Sequence, residues 1–523
     1  MPSRRSFPWF PTLVLLLAAG LEVWAFTSEE LERNLKGWIT LAIPLLALIL
    51  LIPWFLLTRR FSRKNRLLGL AGLLLAAGIL KWTVRVDGVV DGRGLPRLVW
   101  RWSKSSVTTS QALTAPVKTA VRDVSADPRL AQAVDVPQFF GPNRDGLAPP
   151  FPLDLDWAKT PPRELWRQRV GAGWSAFAVV QGRAITQEQR GEEELVTCYE
   201  LLTGRLLWVH ADKARFTQWQ GGEGPRATPT VHQGRVFAYG ATGLLNCLDL
   251  ATGQKVWQRR VLEEAQCANL EWGLCASPLI VDDKVIVTRG GAKGAVLLAY
   301  RAEDGAPLWQ KGDDQASYAS PVLATLAGRR VILSNNARSL TVHDPATGEV
   351  LLEHAWGVEK WPKASQPVVI LPNQVFLSAG YGMGCLLLEV AADAAGRLTA
   401  SELWKSMKMK TQFNSAARLG GHLYGLDDGR LACLDLATGE RLWKEGRFAS
   451  GQTLLTGQSV IVQSESGPVY LCAASPEGFR ELGRLEALSS KTWNHPVLAG
   501  RYLLVRNDRE AVCYELPVLK AAP

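Results

Sequence analysis

The chain reads as an all-β protein, an eight-bladed β-propeller of four-stranded antiparallel blades preceded by an α-helical transmembrane region of about three helices. Three observations predict this. A run of β-forming residues, an acidic residue, a Thr-Gly-like turn and a tryptophan four positions on recur along the C-terminal two thirds, most cleanly in LLNCLDLATGQKVW (244–257) and LACLDLATGERLW (431–443). The turn glycines 204, 253, 305, 348, 396, 439 and 478 lie 49, 52, 43, 48, 43 and 39 residues apart, and a period near 45 with four strands per unit is the signature of propeller blades. Finally, one unit is split between the two ends of the repeat region.

Within residues 228–259 the runs TPTVHQG, RVFAYGATG, LLNCLDLATG and QKVWQRR are four strands, rich in Val, Leu and aromatics and broken at glycines. A lone sheet of this kind cannot bury both faces, so neighbouring blades must stack on it. The acidic residue accepts backbone N–H bonds, the glycine takes the positive φ of a tight turn, and the tryptophan covers the seam to the next blade. Looser copies run through 195–208 and 296–309 and around Gly348, Gly396 and Gly478. PRELWRQRV (162–170) has the Trp-bearing outer strand without its preceding run, while residues 493–516 supply three strands lacking a fourth. Joining them closes the ring and removes its exposed edges.

In these repeats the chain resembles the pyrroloquinoline-quinone-like (PQQ-like) propeller repeat family, whose docking motif is Leu-Asp-x-x-Thr-Gly-x-x-x-Trp. The resemblance spans about residues 138–516. That family holds quinoprotein dehydrogenases, the non-catalytic outer-membrane assembly lipoprotein BamB and uncharacterised membrane-anchored bacterial members. The opener QFFGPNRDGL (138–147) and the stretches WGLCASPLIV and KTWNHPVLAG look most like the last group.

The N-terminal 83 residues form a membrane region, with helices expected at about 9–26, 38–57 and 67–82. Residues 38–57 are twenty positions without a charge, enough to span a bilayer core. The flanking runs are shorter but carry Trp9, Trp24 and Trp82 where interfacial anchors belong. Arg4 and Arg5 ahead of the first run also fit a signal peptide. The loop TRRFSRKNR (58–66) carries five basic residues, whereas 27–37 has three acidic and two basic. The positive-inside rule then puts the N-terminus and the 58–66 loop in the cytoplasm and the propeller on the periplasmic side of a bacterial inner membrane. Residues 1–102 hold 14 Lys/Arg and 6 Asp/Glu, so of the net charge of +10 only +2 belongs to the other 421 residues. The basic balance reports membrane topology, and no nucleic-acid partner is expected.

Residues 84–137 read as a juxtamembrane β-element followed by a flexible linker, and 138–523 as the propeller. Of eight cysteines, Cys198, Cys247, Cys433, Cys472 and Cys513 occupy one repeat position and read as small buried hydrophobes, too far apart between blades to bridge. Cys267 and Cys275, eight apart in one loop, are the only local pair in reach of a disulfide.

The segments that lead into each inner strand converge at one mouth of the central channel. They supply Trp174, Arg226, Trp272, Tyr318, Trp361, Lys363, Lys410, Gln412, Phe413, Asn414, Lys491, Trp493, Asn494 and His495. Aromatics and cations on one rim can hold a planar anionic ligand or a partner, or can simply plug and rigidify the entrance. The favoured reading is a membrane-anchored, periplasm-facing binding or scaffold module of the cell envelope. Its partners are then the lipid bilayer and an envelope protein or polymer, and it needs no cofactor or metal. The alternative implied by the resemblance is a PQQ-dependent dehydrogenase oxidising an alcohol or sugar, which needs PQQ, calcium and an acidic base. Against it stand the absence of an adjacent Cys-Cys pair and of a Cys-x-x-Cys-His site. The blades are also lean, about 355 residues for eight.

Overall fold

The computed structural model describes residues 8–28, 31–103, 127–291 and 294–519, organised as two compact units, Met1–Val107 and Thr108–Pro523. Most of the expected linker, like Arg4 and Arg5, lies outside the described residues.

In the first unit three helices are long and apolar enough to cross a membrane: α1 (Trp9–Thr27), α2 (Arg33–Leu57) and α3 (Arg63–Thr83). The second and third extend past their apolar runs, because Arg33, Lys36 and the Arg63–Arg66 stretch continue the helices as polar end turns. Phe10 stacks on Trp54 at 6.4 Å, which sets the start of α1 beside the end of α2. Gly69 lies so close to Phe55 that a Cβ there would come within 2.6 Å of the ring. Directly after α3 come β1 (Val84–Val89) and β2 (Pro96–Trp100), paired antiparallel.

The second unit is a ring of eight four-stranded antiparallel sheets. Blades 1 to 7 follow one another from Ala178 to Leu485. Blade 8 joins Val497–Ala499, Tyr502–Arg506 and Glu510–Glu515 to β3 (Arg163–Arg169), which pairs with the last of them. Closure by Trp166's strand is thus as the split repeat predicts.

The tryptophans explain the spacing of the motif. Trp166, Trp208, Trp257, Trp404 and Trp443 each donate the indole N–H to a backbone carbonyl in the acidic turn of the following blade, those of Leu201, Leu250, Ala302, Leu436 and Ser475, at 2.8–3.0 Å. At Gly204, Gly253 and Gly439 a Cβ would come within 2.5 Å of the indole, so the turn needs glycine for its positive φ and again for the ring's approach. Opposite the tryptophan sits the recurrent cysteine: Cys198, Cys247, Cys433 and Cys513 are the cross-strand partners of Trp208, Trp257, Trp443 and Trp166. The register shifts beside each such pair, a β-bulge that turns the outer strand outward. These cysteines are fully buried, and burial drives the Cys198 and Cys513 thiols well above their ordinary range.

In a meander of this kind, the connections between blades and the turns between second and third strands share one face of the ring. The remaining turns share the other. The described end of the expected linker belongs to that second face: Tyr502 donates to the Arg129 carbonyl and Arg501 to the side chain of Gln132. Val136 bridges to Val179. From there the opener enters the channel. The Pro137 carbonyl accepts from Val231, Leu147 bridges in parallel to Leu455, and Phe139 and Phe140 pack edge-on against His495. Fully buried Arg144 donates to the carbonyls of Ser277, Pro278 and Pro321 and to Thr230 Oγ1. One short segment thus ties together the inner strands of blades 1, 2, 3, 4, 7 and 8. The space left around Phe140, Phe177 and His495 is about 10 Å³, room for about one water.

Candidate functional site at the channel mouth

The opposite mouth is built from the connections between blades, and a belt of hydrogen bonds holds it. Ala176 N donates to Thr228 Oγ1, Thr228 N to Ser277 Oγ, Ser277 N to Ser320 Oγ, and Gln366 N to Ser415 Oγ, all at 2.9–3.0 Å. Tyr318 N and the Lys363 carbonyl link blades 4 and 5, Thr453 Oγ1 and the Ser415 carbonyl link 6 and 7, and Asn494 Nδ2 closes the circle from blade 8 to the Gly173 and Ser175 carbonyls of blade 1. The Ser or Thr hydroxyl ahead of the inner strands of blades 2, 3, 4 and 6 is therefore a circumferential clasp.

Above this belt one cluster stands out. Trp493 lies 4.7 Å from Trp174 and 5.4 Å from Phe413, centroid to centroid. Lys491 Nζ sits 4.3 Å over Trp493 and 5.2 Å over Trp174, an arrangement that favours the cation electrostatically. Trp493 Nε1 donates to Glu465 Oε1 at 2.6 Å and Trp174 Nε1 to the Gly221 carbonyl at 2.6 Å, so both rings are fixed in orientation. Gln452 Nε2 bonds the Phe413 and Trp493 carbonyls. The wall continues through a small hairpin, Thr217–Gln218 paired with Gly222–Glu223, whose tip carries half-exposed Trp219. It then reaches Trp272 and Tyr318, 5.6 Å apart. Trp361, 41% exposed, stacks flat on Tyr381.

Of the residues expected at the rim, Trp174, Phe413, Lys491 and Trp493 come together, and Trp272, Tyr318 and Trp361 extend the same wall. The cations are otherwise engaged. Arg226 lies buried over Phe216 and donates to the carbonyls of Gly221, Gly222 and Gly224. Lys363 is fully buried against the Ala337 carbonyl, and desolvation draws its pKa down to about 8. Lys410 shares buried Asp427 with Arg441 and Lys444. Asn414 accepts from Leu426 N, and Asn494 belongs to the belt. Gln412 is buried with its Nε2 unpartnered. His495 lies on the plug, its ring nitrogens facing the Pro496 and Thr453 carbonyls, and burial pulls it down to about 4. Cys267 and Cys275 are separate free thiols, and Cys275 Sγ points to the Gly273 carbonyl, so the expected local pairing is not formed.

Sequence reasoning missed Glu465, which orients Trp493, and Asp427, because a lone acidic residue at a strand end carries no pattern. The carboxylates near the mouth are already served. Asp314 accepts from Gln315 N, Arg338 N, Arg338 Nε and Ser339 Oγ, and Glu223 pairs with Arg215. Glu465 accepts from Trp493 and Ser450 N. Glu271, Asp313 and Glu359 are exposed on separate connections. Among the described residues no three His, Cys, Asp or Glu side chains converge as metal ligands.

A family profile described as outer membrane protein assembly factor BamB matches residues 192–445. BamB of Shewanella oneidensis is 24% identical over 302 residues, 54% of this chain and 71% of the relative. BamB of Bordetella pertussis is 25% identical over 358 residues, 66% and 84% of the two chains. The solved quinohemoprotein alcohol dehydrogenase of Comamonas testosteroni superposes with a TM-score of 0.53 at 13% identity, covering 77% of this chain and 84% of the enzyme, a likeness of fold alone. Repeat, ring and relatives agree: the propeller is similar to the PQQ-like β-propeller repeat proteins.

Proposed function

We propose that this protein is a membrane-anchored binding module of the bacterial cell envelope, its propeller on the periplasmic side of the inner membrane, which captures an envelope protein or polymer at the aromatic mouth. The observation that carries this reading is the fixed Trp174–Trp493–Phe413 wall with Lys491 across it, on the face opposite a channel end that the opener fills. Prepaid ring orientation lowers the ordering cost of binding, and Trp in particular concentrates binding energy. The relatives named as assembly factors support a scaffold role. Three apolar N-terminal helices support the anchoring, and the basic 58–66 loop supports the orientation.

Cofactor chemistry is less well supported by the residues present. A quinone and calcium need carboxylate oxygens free to ligate, whereas Asp314, Glu223, Glu465 and Asp427 spend theirs on protein donors. The donor set does not fit the ion.

A photo-crosslinking residue at Trp219 or Trp361 in intact membranes is expected to trap a discrete partner, and Trp493→Ala is expected to cut that yield at least about fivefold, since a hot-spot truncation costs more than about 1 kcal/mol. Equal trapping from Val350, on the opposite face, would defeat the proposal.

A further inference from the structure

The hairpin that follows the third helix has an unpartnered apolar face. Pairing sets Val84 opposite Trp100 and Val86 opposite Leu98, so these four side chains share one side of the two-stranded sheet. Trp102, two residues on, stacks on Trp100 at 5.3 Å with the rings 5° from parallel. The face is open: Val86 is 54% exposed, Leu98 61%, Trp100 54% and Trp102 69%, and neighbouring Trp82, at the end of α3, 78%. The other side is polar and internally bonded. Arg97 bridges Asp87 at 2.8 Å, and Arg85 donates to the Ser103 carbonyl. A two-stranded hairpin is marginal in water, and one that shows two tryptophans and two aliphatics to solvent on a single side needs something to lie on.

Its position says what. No residue separates Thr83 of α3 from Val84 of β1. Leu95, in the turn between β1 and β2, rests against Gly37 in the first turns of α2, where a Cβ would come within 3.1 Å of it. The hairpin is therefore seated at the end of the helical bundle where α2 begins and α3 stops, the level at which a spanning bundle leaves the hydrocarbon. Tryptophan is enriched at that depth because its ring is apolar and its N–H is wet.

We infer that the Val84–Trp102 hairpin is a membrane-interface anchor, lying with Val86, Leu98, Trp100 and Trp102 in the headgroup and upper acyl region of the bilayer beside α3. This rests on reading the three helices as spans. It gives the chain a surface contact that resists tilting of α3.

The test uses the full chain in nanodiscs of phosphatidylcholine, plain or brominated at carbons 6 and 7 or 11 and 12, and compares wild type with Trp100→Phe/Trp102→Phe. The difference fluorescence isolates the two tryptophans, and phenylalanine keeps the face apolar so that the fold is retained. The difference signal is expected to fall at least twofold with shallow bromines, less with deep ones, and to resist aqueous acrylamide. A difference signal quenched by acrylamide alone, or by neither agent as under a second protein copy, overturns the anchor while the remaining tryptophans are still quenched by bromine. If those, including Trp9, Trp24, Trp38 and Trp54, are unquenched as well, the spans themselves fail and the anchor with them.

Discussion

At the residue level two buried groups pull the pH response in opposite directions. His495 is held neutral by burial, with its pKa drawn down to about 4. The unfolded chain therefore binds the extra proton first as pH falls, and this residue's stabilisation is complete above about 6.5 and lost through pH 4. Glu194 is pushed up to about 7 by burial, helped by nearby Asp212 and opposed by its bond from Ala241 N. Its contribution is complete below about 4.5 and lost as pH rises through 7. Each gap corresponds to roughly 3 kcal/mol, so between pH 4.5 and 7 the two largely cancel. His495→Gln is expected to make unfolding free energy fall with rising pH relative to wild type, and Glu194→Gln to make it rise, as read from urea midpoints of the detergent-solubilised chain at pH 4.5 and 7. Parallel profiles for all three proteins would refute both assignments.

At the scale of elements, the repeat was readable because its physics is local: Asp, Gly and Trp at fixed offsets specify a turn and the ring that lies on it. The fourth blade shows where that legibility stops. Gly348 is followed by Leu352 instead of tryptophan, and Gly396 across that seam has nothing within 4 Å of its would-be Cβ. The seventh blade has Leu482 in the same place, and there Trp157, from the stretch ahead of β3, packs on Gly483. No periodicity could announce that substitution. The mouth was legible as a set of equivalent positions, yet whether a lysine there faces solvent or a carbonyl depends on contacts between blades, and Lys363 and Lys410 proved to be wall residues. The opener was conspicuous as a motif but silent on its role. Arg144 holds it in place without a carboxylate, and although burial lowers its pKa to about 9 it stays charged at neutral pH. Both Arg144 and Phe140 adopt left-handed backbone, a cost borne only where surroundings enforce it. Arg144→Met leaves several buried carbonyls unserved, and at about 1–3 kcal/mol for an unmet group a loss of roughly 3 kcal/mol is expected. Limited proteolysis should then cut within 138–147, which the wild type resists. Unchanged stability and protection would mean that the segment merely rests in the channel.

The whole molecule depends on one seam, because a ring closed by strands from opposite ends of the repeat region has a single place where it can open. Two layers of interaction guard it. On the outside Arg163 and Arg167 of β3 bridge Glu515 and Glu510, exposed pairs worth at most about 1 kcal/mol each. On the inside, fully buried Arg506 of blade 8 donates to Thr186 Oγ1 and the carbonyls of Gln187 and Gly171. The neighbouring blade 1 carboxylate of Glu188 takes Gly171 N, Arg190 and Tyr199. Burial works against ionising Glu188, yet Arg190, Arg506 and the Tyr199 bond together hold its pKa below the ordinary carboxylate range. Removing one partner of such a network strands a buried charge at a cost of about 3–5 kcal/mol, whereas neutralising both ends can cost far less. Glu188→Gln should therefore destabilise by roughly 3 kcal/mol and Arg506→Gln comparably. The double variant should fall well short of their sum, with a coupling of about 1–3 kcal/mol in the mutant cycle. Because closure makes the blades unfold together, the single variants should also split one sharp urea transition into two, as the terminal blades release first. Strict additivity with an undivided transition would show that the outer pairing alone closes the ring.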